Sequence, residues 1–179
     1  VESAGFNSVT LRFTNVYGSC HDHNTRLVPN VVSKLLANES FEIFGSADKT
    51  ISLLHVDDAV KSLMLAMEFS DSLSKEKGVF EVFNIGGGPD HDVFDMKDIV
   101  RTAQTSVLAS FPGCKYCSVA TESQVKKDTQ NRSEEPEHFR SSIEKAAWIL
   151  GYRPSRTFCS ESVSDYVKTC YSQQQIARD

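Results

Sequence analysis

"LRFTNVYG", residues 11–18, opens as a run of apolar and β-branched residues and stops at a glycine. With the preceding "SVT" it reads as a strand over residues 8–13, and the glycine marks the turn beyond it. A strand interior has no need of Arg12, Asn15 and Tyr17. Polar residues at the carboxyl end of a strand suit an α/β sheet, where ligands bind at strand-to-loop junctions. The stretch therefore predicts an α/β fold and a binding edge at the end of this strand. Asn15 can donate and accept hydrogen bonds, so it could read a phosphate oxygen or a sugar hydroxyl. It could equally serve a left-handed turn.

Outward from this stretch the pattern continues as alternating elements. In "RLVPNVVSKLLAN", Leu27, Val31 and Leu35, with Val28, Val32 and Leu36, recur at helical spacing. Pro29 fits only the first turn of that helix, which places the start at Leu27 or Val28. "FEIFG" (41–45) and "TISLLHV" (50–56) read as short strands. Asp57 reads as an N-cap, and Ala59, Val60, Leu63, Met64 and Met67 as the buried face of the next helix. "VFEVFNIGGG" (79–88) is a strand running into three glycines. Gly45 and Gly86 are expected to end strands at the ligand-facing rim. A helix capped by Asp95 follows, then a strand at "KYCSVA" and a polar loop over 121–138. A short helix stopped by Gly151 and a last helix from "SESVSDYVKTC" complete an α/β order.

The totals set bounds. The 179 residues suffice for one large domain, or a domain with an appendage. Apolar residues make up 40% and the net charge is −5, which gives a nucleic-acid partner no electrostatic support. No apolar run approaches bilayer-spanning length. The first residues lack a signal-peptide pattern and do not begin with methionine, so the chain is expected to be a fragment. Five cysteines at irregular spacing argue against a disulfide framework and for a reducing, cytoplasmic setting. "CKYC" (114–117) and "CHDH" (20–23) would bind zinc only if they met in space, and no metal site is expected. In "HVDD" (55–58) an imidazole stands beside two carboxylates. That could be an acid/base pair, but a capping role is the stronger reading. The glycines at 86–88 do not form G-x-G-x-x-G, so a turn outweighs a phosphate cradle. Arg132, in an acidic polar loop, suits either a solvated charge run or a diphosphate clamp.

Taken in order, five stretches resemble the extended short-chain dehydrogenase/reductase family, the NAD-dependent nucleotide-sugar epimerases and dehydratases. "LRFTNVYG" is similar to the family's R-x-x-N-x-Y-G, and "RLVPNVVSKLL" to the helix after it. "FEIFGSADKTISLLHVDDAV", "FNIGGG" and "KAAWILGYRP" are similar to its later motifs. The resemblance implies the C-terminal portion of such an enzyme over 1–179: the end of a Rossmann-like doubly wound sheet with a small mixed α/β nucleotide-sugar-binding domain, the NAD-binding half lying upstream. The family's glycine-rich loop and Y-x-x-x-K pair are absent from this sequence, so no catalytic residue is assigned here and the chain alone is expected to be inactive.

By the same resemblance Phe13 and Thr14 border the nicotinamide of NAD, and Asn15 meets a substrate phosphate. Leu27 and Val28 meet the nucleotide, Glu42, Ile43 and Phe44 line the base pocket, and Arg132 and Glu135 hold diphosphate and ribose. The implied partners are a nucleotide sugar and a second copy of the chain, with neither nucleic acid nor membrane. One departure stands out: Ile51 and Ser52 occupy the places of a usual arginine and aspartate. A lost charged hydrogen bond is worth about 1.5–3 kcal/mol. The departure leaves open a catalytically inactive binding homologue, or a relative acting on a non-nucleotide substrate such as a sterol.

Overall fold

The structure, a computed structural model, describes residues 6–44, 49–73, 78–88, 93–115, 117, 125–126 and 140–176. Strand β1 (Ser8–Phe13) is followed at once by a three-residue strand, β2 (Asn15–Tyr17). Helix α1 (Leu27–Leu36) starts where Pro29 requires. Then come β3 (Ile43–Phe44), β4 (Thr50–His55), α2 (Val56–Ser72) and β5 (Phe80–Ile85). The strand β6 (Val93–Asp95), α3 (Met96–Ser110), β7 (Val125–Lys126), α4 (Glu144–Ile149) and α5 (Ser160–Ile176) complete the order. β1 pairs with β5 in parallel, in register from Ser8 opposite Phe80 to Phe13 opposite Ile85. β2, β4 and β6 form a second sheet in that order, and β3 pairs with β7 in parallel. The α/β class expected from the sequence is borne out.

The chain divides into two compact units built from interleaved segments. One comprises Val1–Val16, Ser52–Asp92 and Arg140–Thr157; the other comprises Tyr17–Ile51, Val93–Phe139 and Phe158–Asp179.

The first unit has its core where α2 meets β1 and α4 meets β5. Leu54, Ala59, Phe83, Ile85, Ile143, Ala146, Leu150 and Tyr152 form one buried cluster, and Phe69 meets Phe83 edge-on at 5.7 Å between ring centres. The face of α2 turned inward is not the one expected. Asp58, Ala59, Ser62 and Ala66 are its buried residues, whereas Val60, Leu63, Met64 and Met67 are exposed by 47–68%. Small side chains let α2 lie close against β1, with Leu65 and Phe69 filling the edge. The larger apolar side chains are left on the other face. The helix cap also differs from expectation. His55, not Asp57, is the N-cap, its ring nitrogen accepting the Asp57 N–H at 3.1 Å.

The second unit packs α1, α3 and α5 against one another. Val28, Val31, Val32 and Leu35 of α1, Ile99, Val100, Ala103 and Val107 of α3, and Val163 and Val167 of α5 are all buried. Tyr17 is also core: its ring meets Phe158 edge-on at 5.1 Å and its hydroxyl lies 3.3 Å from that of Ser162. α3 is capped as expected, Asp95 accepting the Asp98 N–H at 2.7 Å.

Candidate functional site

Parallel strands direct their carboxyl ends toward a common rim, where loops rather than further strand carry the chain away. In the first unit that rim is formed by Phe13 of β1 and Ile85 of β5, which stand side by side. Thr14 extends the ladder by one step, its N–H donating to Ile85 O at 3.0 Å. The Thr14 side chain is buried, yet its hydroxyl has no hydrogen-bond partner among the described residues. Leaving such a group unmade costs about 1–3 kcal/mol. Phe13 beside it is 39% exposed. Asn15 is exposed, and its side-chain amide donates to Ser52 O at 3.1 Å. An asparagine amide has a second N–H and an accepting oxygen, so one bond to Ser52 fixes its orientation and leaves capacity for a ligand.

The loop after β5 is shaped by packing. Gly86, Gly87 and Gly88 are all buried. Gly88 has φ +95°, and a Cβ there would lie 3.4 Å from Cγ of Pro154 and 3.6 Å from Cδ1 of Ile143. The Tyr152 hydroxyl, fully buried, donates to Gly86 O at 3.0 Å. These contacts favour the turn reading of the glycines. Gly86 lies just beyond the β5 strand, at the rim, as expected. Gly45 lies outside the described residues.

"HVDD" is structural as well. Asp58 is 1% exposed and its carboxylate accepts four hydrogen bonds: two from Ser155 N at 3.0 Å, one from Ser155 Oγ at 2.9 Å and one from Arg156 N at 2.8 Å. Asp57 lies 3.5 Å from both His55 Nδ1 and Arg156 Nε. Capping and segment anchoring account for these three side chains without chemistry. Sequence reasoning missed the role of Asp58 because its partners lie almost a hundred positions away.

The other candidates lie in the second unit. Leu27 is half-buried and Val28 is 3% exposed, so Val28 could offer a ligand only its backbone. The first turn of α1 has no side-chain cap and no acidic residue, with Arg26 at the N-cap position. Its leading N–H groups are therefore not met by a cap of its own. Glu42 is exposed next to the buried Phe41. Ile43 and Phe44 form β3. Arg132 and Glu135 lie outside the described residues. Ile51 is half-buried and Ser52 fully buried in β4.

Among the described residues no group of three metal-ligating side chains occurs, and no helix is long and apolar enough to cross a membrane. Residues 1–86 match the sequence model of the NAD dependent epimerase/dehydratase family. A Streptomyces bikiniensis relative, dTDP-4-dehydro-6-deoxy-D-allose reductase, is 26% identical over 102 residues, 55% of this chain and 29% of its own length. Over 94% of this chain the fold is similar to UDP-glucose 4-epimerase of Thermotoga maritima, solved with UDP-glucose, at a TM-score of 0.67 and 23% identity, covering 46% of that chain. Over 98% it is similar to dTDP-glucose 4,6-dehydratase of Streptomyces venezuelae, solved with NAD, at a TM-score of 0.69 and 22% identity, covering 47% of that chain. The chain thus spans less than half the length of these relatives. The resemblance read from the sequence is borne out by the match of residues 1–86 to that family model.

Proposed function

We propose that this chain is the C-terminal, nucleotide-sugar-binding portion of an NAD-dependent epimerase, 4,6-dehydratase or decarboxylase, working in the cytoplasm. The observation that carries the reading is Thr14: a buried hydroxyl without a partner, at the carboxyl end of a parallel strand pair. A ligand polar group reaching that rim would satisfy it. NAD fits this demand, since its nicotinamide carries a carboxamide that can accept a hydrogen bond. When bound, NAD takes a hydride from the sugar and can return it. Most of its contacts, and the tyrosine and lysine that move protons, would come from polypeptide upstream.

Within this chain, Phe13 and Thr14 would border the nicotinamide. Asn15, oriented by Ser52, would position a substrate phosphate or hydroxyl. The uncapped first turn of α1, at Leu27 and Val28, would offer N–H groups to the nucleotide. Glu42, Ile43 and Phe44 would flank the base, and Arg132 and Glu135 would hold diphosphate and ribose. The chain alone would bind NAD weakly and turn nothing over. Pairing of two copies would use helices upstream.

One observation favours a second reading. Ile51 and the buried Ser52 leave β4 without the family's second cationic clamp, which would suit a less charged ligand or a non-catalytic homologue. Titration of the full-length protein with UDP-glucose, dTDP-glucose and NAD decides. Saturable binding of NAD and of one sugar nucleotide, with Asn15→Ala weakening the sugar nucleotide about tenfold and sparing NAD, supports the first reading. Binding of NAD alone supports the second, and binding of neither defeats both.

A further inference from the structure

The second unit holds a cavity of about 250 Å³ that the site above does not use. Two helices and one loop build its wall. α5 supplies Tyr166, Cys170 and Gln173, which lie along one face of that helix. α1 supplies Pro29 and Ser33, likewise one helical turn apart. The loop between β2 and α1 closes the third side with Cys20 and Asn24. Tyr166 and Pro29 are buried, whereas Asn24 and Gln173 are exposed, so the cavity has a closed floor and a polar mouth.

The wall is polar but carries no charge. Among the described residues no lysine, arginine, aspartate or glutamate lines it. In the adjoining loop Asp22 and Arg26 answer each other as an ion pair at 3.6 Å. Burial raises the Tyr166 phenol and pushes the Cys170 thiol up to about 11, so both stay neutral near neutral pH. The Ser33 hydroxyl donates its hydrogen to Asn30 O at 3.0 Å, which leaves its lone pairs to accept. Gln173 Nε2 lies 3.5 Å from His21 Nε2, and the Gln173 carbonyl oxygen can accept a further bond. The Asn24 amide can both donate and accept.

We propose that this cavity is a binding site for a small neutral polyhydroxyl compound, the size of a single sugar ring. Charge selects against phosphates, carboxylates and amines, because an ion taken out of water without a counter-charge is strongly disfavoured. Size selects against a whole sugar nucleotide: at the ~30 Å³ that one water occupies in the liquid, the cavity has room for about eight waters. An apolar ligand would leave the hydroxyl and amide groups of the wall unmet. An alcohol both donates and accepts, so a ring of hydroxyls can meet Ser33, Asn24 and Gln173 and reproduce the bonds of the water it displaces. A free sugar and the sugar end of a sugar nucleotide share this chemistry; the uncharged wall favours the free one. The site goes beyond the sugar-nucleotide reading above and does not depend on it.

The test uses the cavity's own thiols as reporters. The full-length protein is alkylated with N-ethylmaleimide in rising millimolar D-glucose or myo-inositol, and the rate at each cysteine is read by peptide mass mapping. The expected result is a saturable, several-fold slowing at Cys20 and Cys170 with at least one of the two compounds. Cys159, exposed and outside the cavity, should react at an unchanged rate. Glucose 6-phosphate should protect neither cavity thiol. Gln173→Leu, at an exposed position, should raise the half-saturating concentration several-fold; the wild-type protection pattern stands without it. No slowing with either compound, or slowing that fails to saturate or extends equally to Cys159, would overturn the proposal. So would equal protection by glucose 6-phosphate, or protection by UDP-glucose alone, which would give the cavity to the sugar nucleotide. NAD and UDP-glucose titrated on the same sample report on the proposed function separately.

Discussion

The two units differ in how completely they cover their own apolar surface. Of ten large apolar side chains exposed among the described residues, nine belong to the first unit and only Leu108 to the second. The nine include the stripe Val60, Leu63, Met64 and Met67 on α2, and Trp148, 88% exposed, on α4. The second unit buries three helices against one another. The first has a two-stranded parallel sheet, β1 with β5, and parallel sheets are stable in proteins when larger and covered on both faces. A helix apolar on two sides belongs in the middle of something. The contrast teaches that the second unit is finished by its own residues, whereas the first presents surface suited to more polypeptide.

The largest expected effect tests that contrast directly. The triple substitution Leu63→Gln, Met64→Gln, Met67→Gln should change the stability of this chain by less than about 0.5 kcal/mol, as exposed substitutions do. In the full-length protein it should cost more than about 4 kcal/mol, the scale for several buried apolar side chains. Urea denaturation of both forms measures it. Equal, small effects in both would break the comparison.

A smaller effect probes what already closes the first unit. Asp58→Ala removes the acceptor of four hydrogen bonds and should cost about 3 kcal/mol, the range for charged hydrogen bonds. Chemical denaturation checks it, and a loss below about 1 kcal/mol would show that the 155–156 segment is held by packing alone.

Thr14→Val reverses the usual sign. Replacing an unpartnered buried hydroxyl by a methyl should stabilise the ligand-free protein by about 1 kcal/mol. In the full-length protein it should also weaken NAD. Thermal melts and NAD titration give the two readings; a destabilised free protein would mean that the hydroxyl has a partner.

The smallest effect lies in the finished unit. Cys170 lines a cavity with Cys20, Pro29 and Tyr166, and burial raises its pKa from 9.0 to about 11. A thiol kept neutral by the fold favours the folded state below pH 9, and that contribution fades as pH rises toward 11. Melting temperatures between these pH values should fall more steeply for the wild type than for Cys170→Ala. Parallel curves would show that the thiol does not feel its burial.

Much of this was readable in the sequence, and the failures have physical causes. β1, α1, β4 and α3 were legible because β-branched runs, the position of Pro29 and the Asp95 cap are local signals. The face of α2 was misread because periodicity finds apolar residues without saying which apolar stripe packs; the small Ala59, Ser62 and Ala66 won the contact with β1. β2 and β6, three residues each, are too short to carry a period. At the site, Asn15 was marked by its place after a strand, and Thr14 only by the family resemblance. The orphaned state of the Thr14 hydroxyl, the Ser52 partner of Asn15 and the Asp58 anchor all depend on segments distant in sequence, which no local pattern encodes.

The anchor has a temporal consequence. Ile143, Ala146, Leu150 and Tyr152 belong to the first unit's core, and Asp58 finds its partners at 155 and 156. During synthesis from the N-terminus, β1, α2 and β5 emerge early and wait for these residues. In the meantime the ribosome delivers residues 93–139, which belong to the other unit. A growing chain in this state exposes β-strand edges and apolar helix faces at once, the condition under which nascent proteins aggregate or recruit chaperones. Truncation just before residue 140 would leave that waiting state permanent.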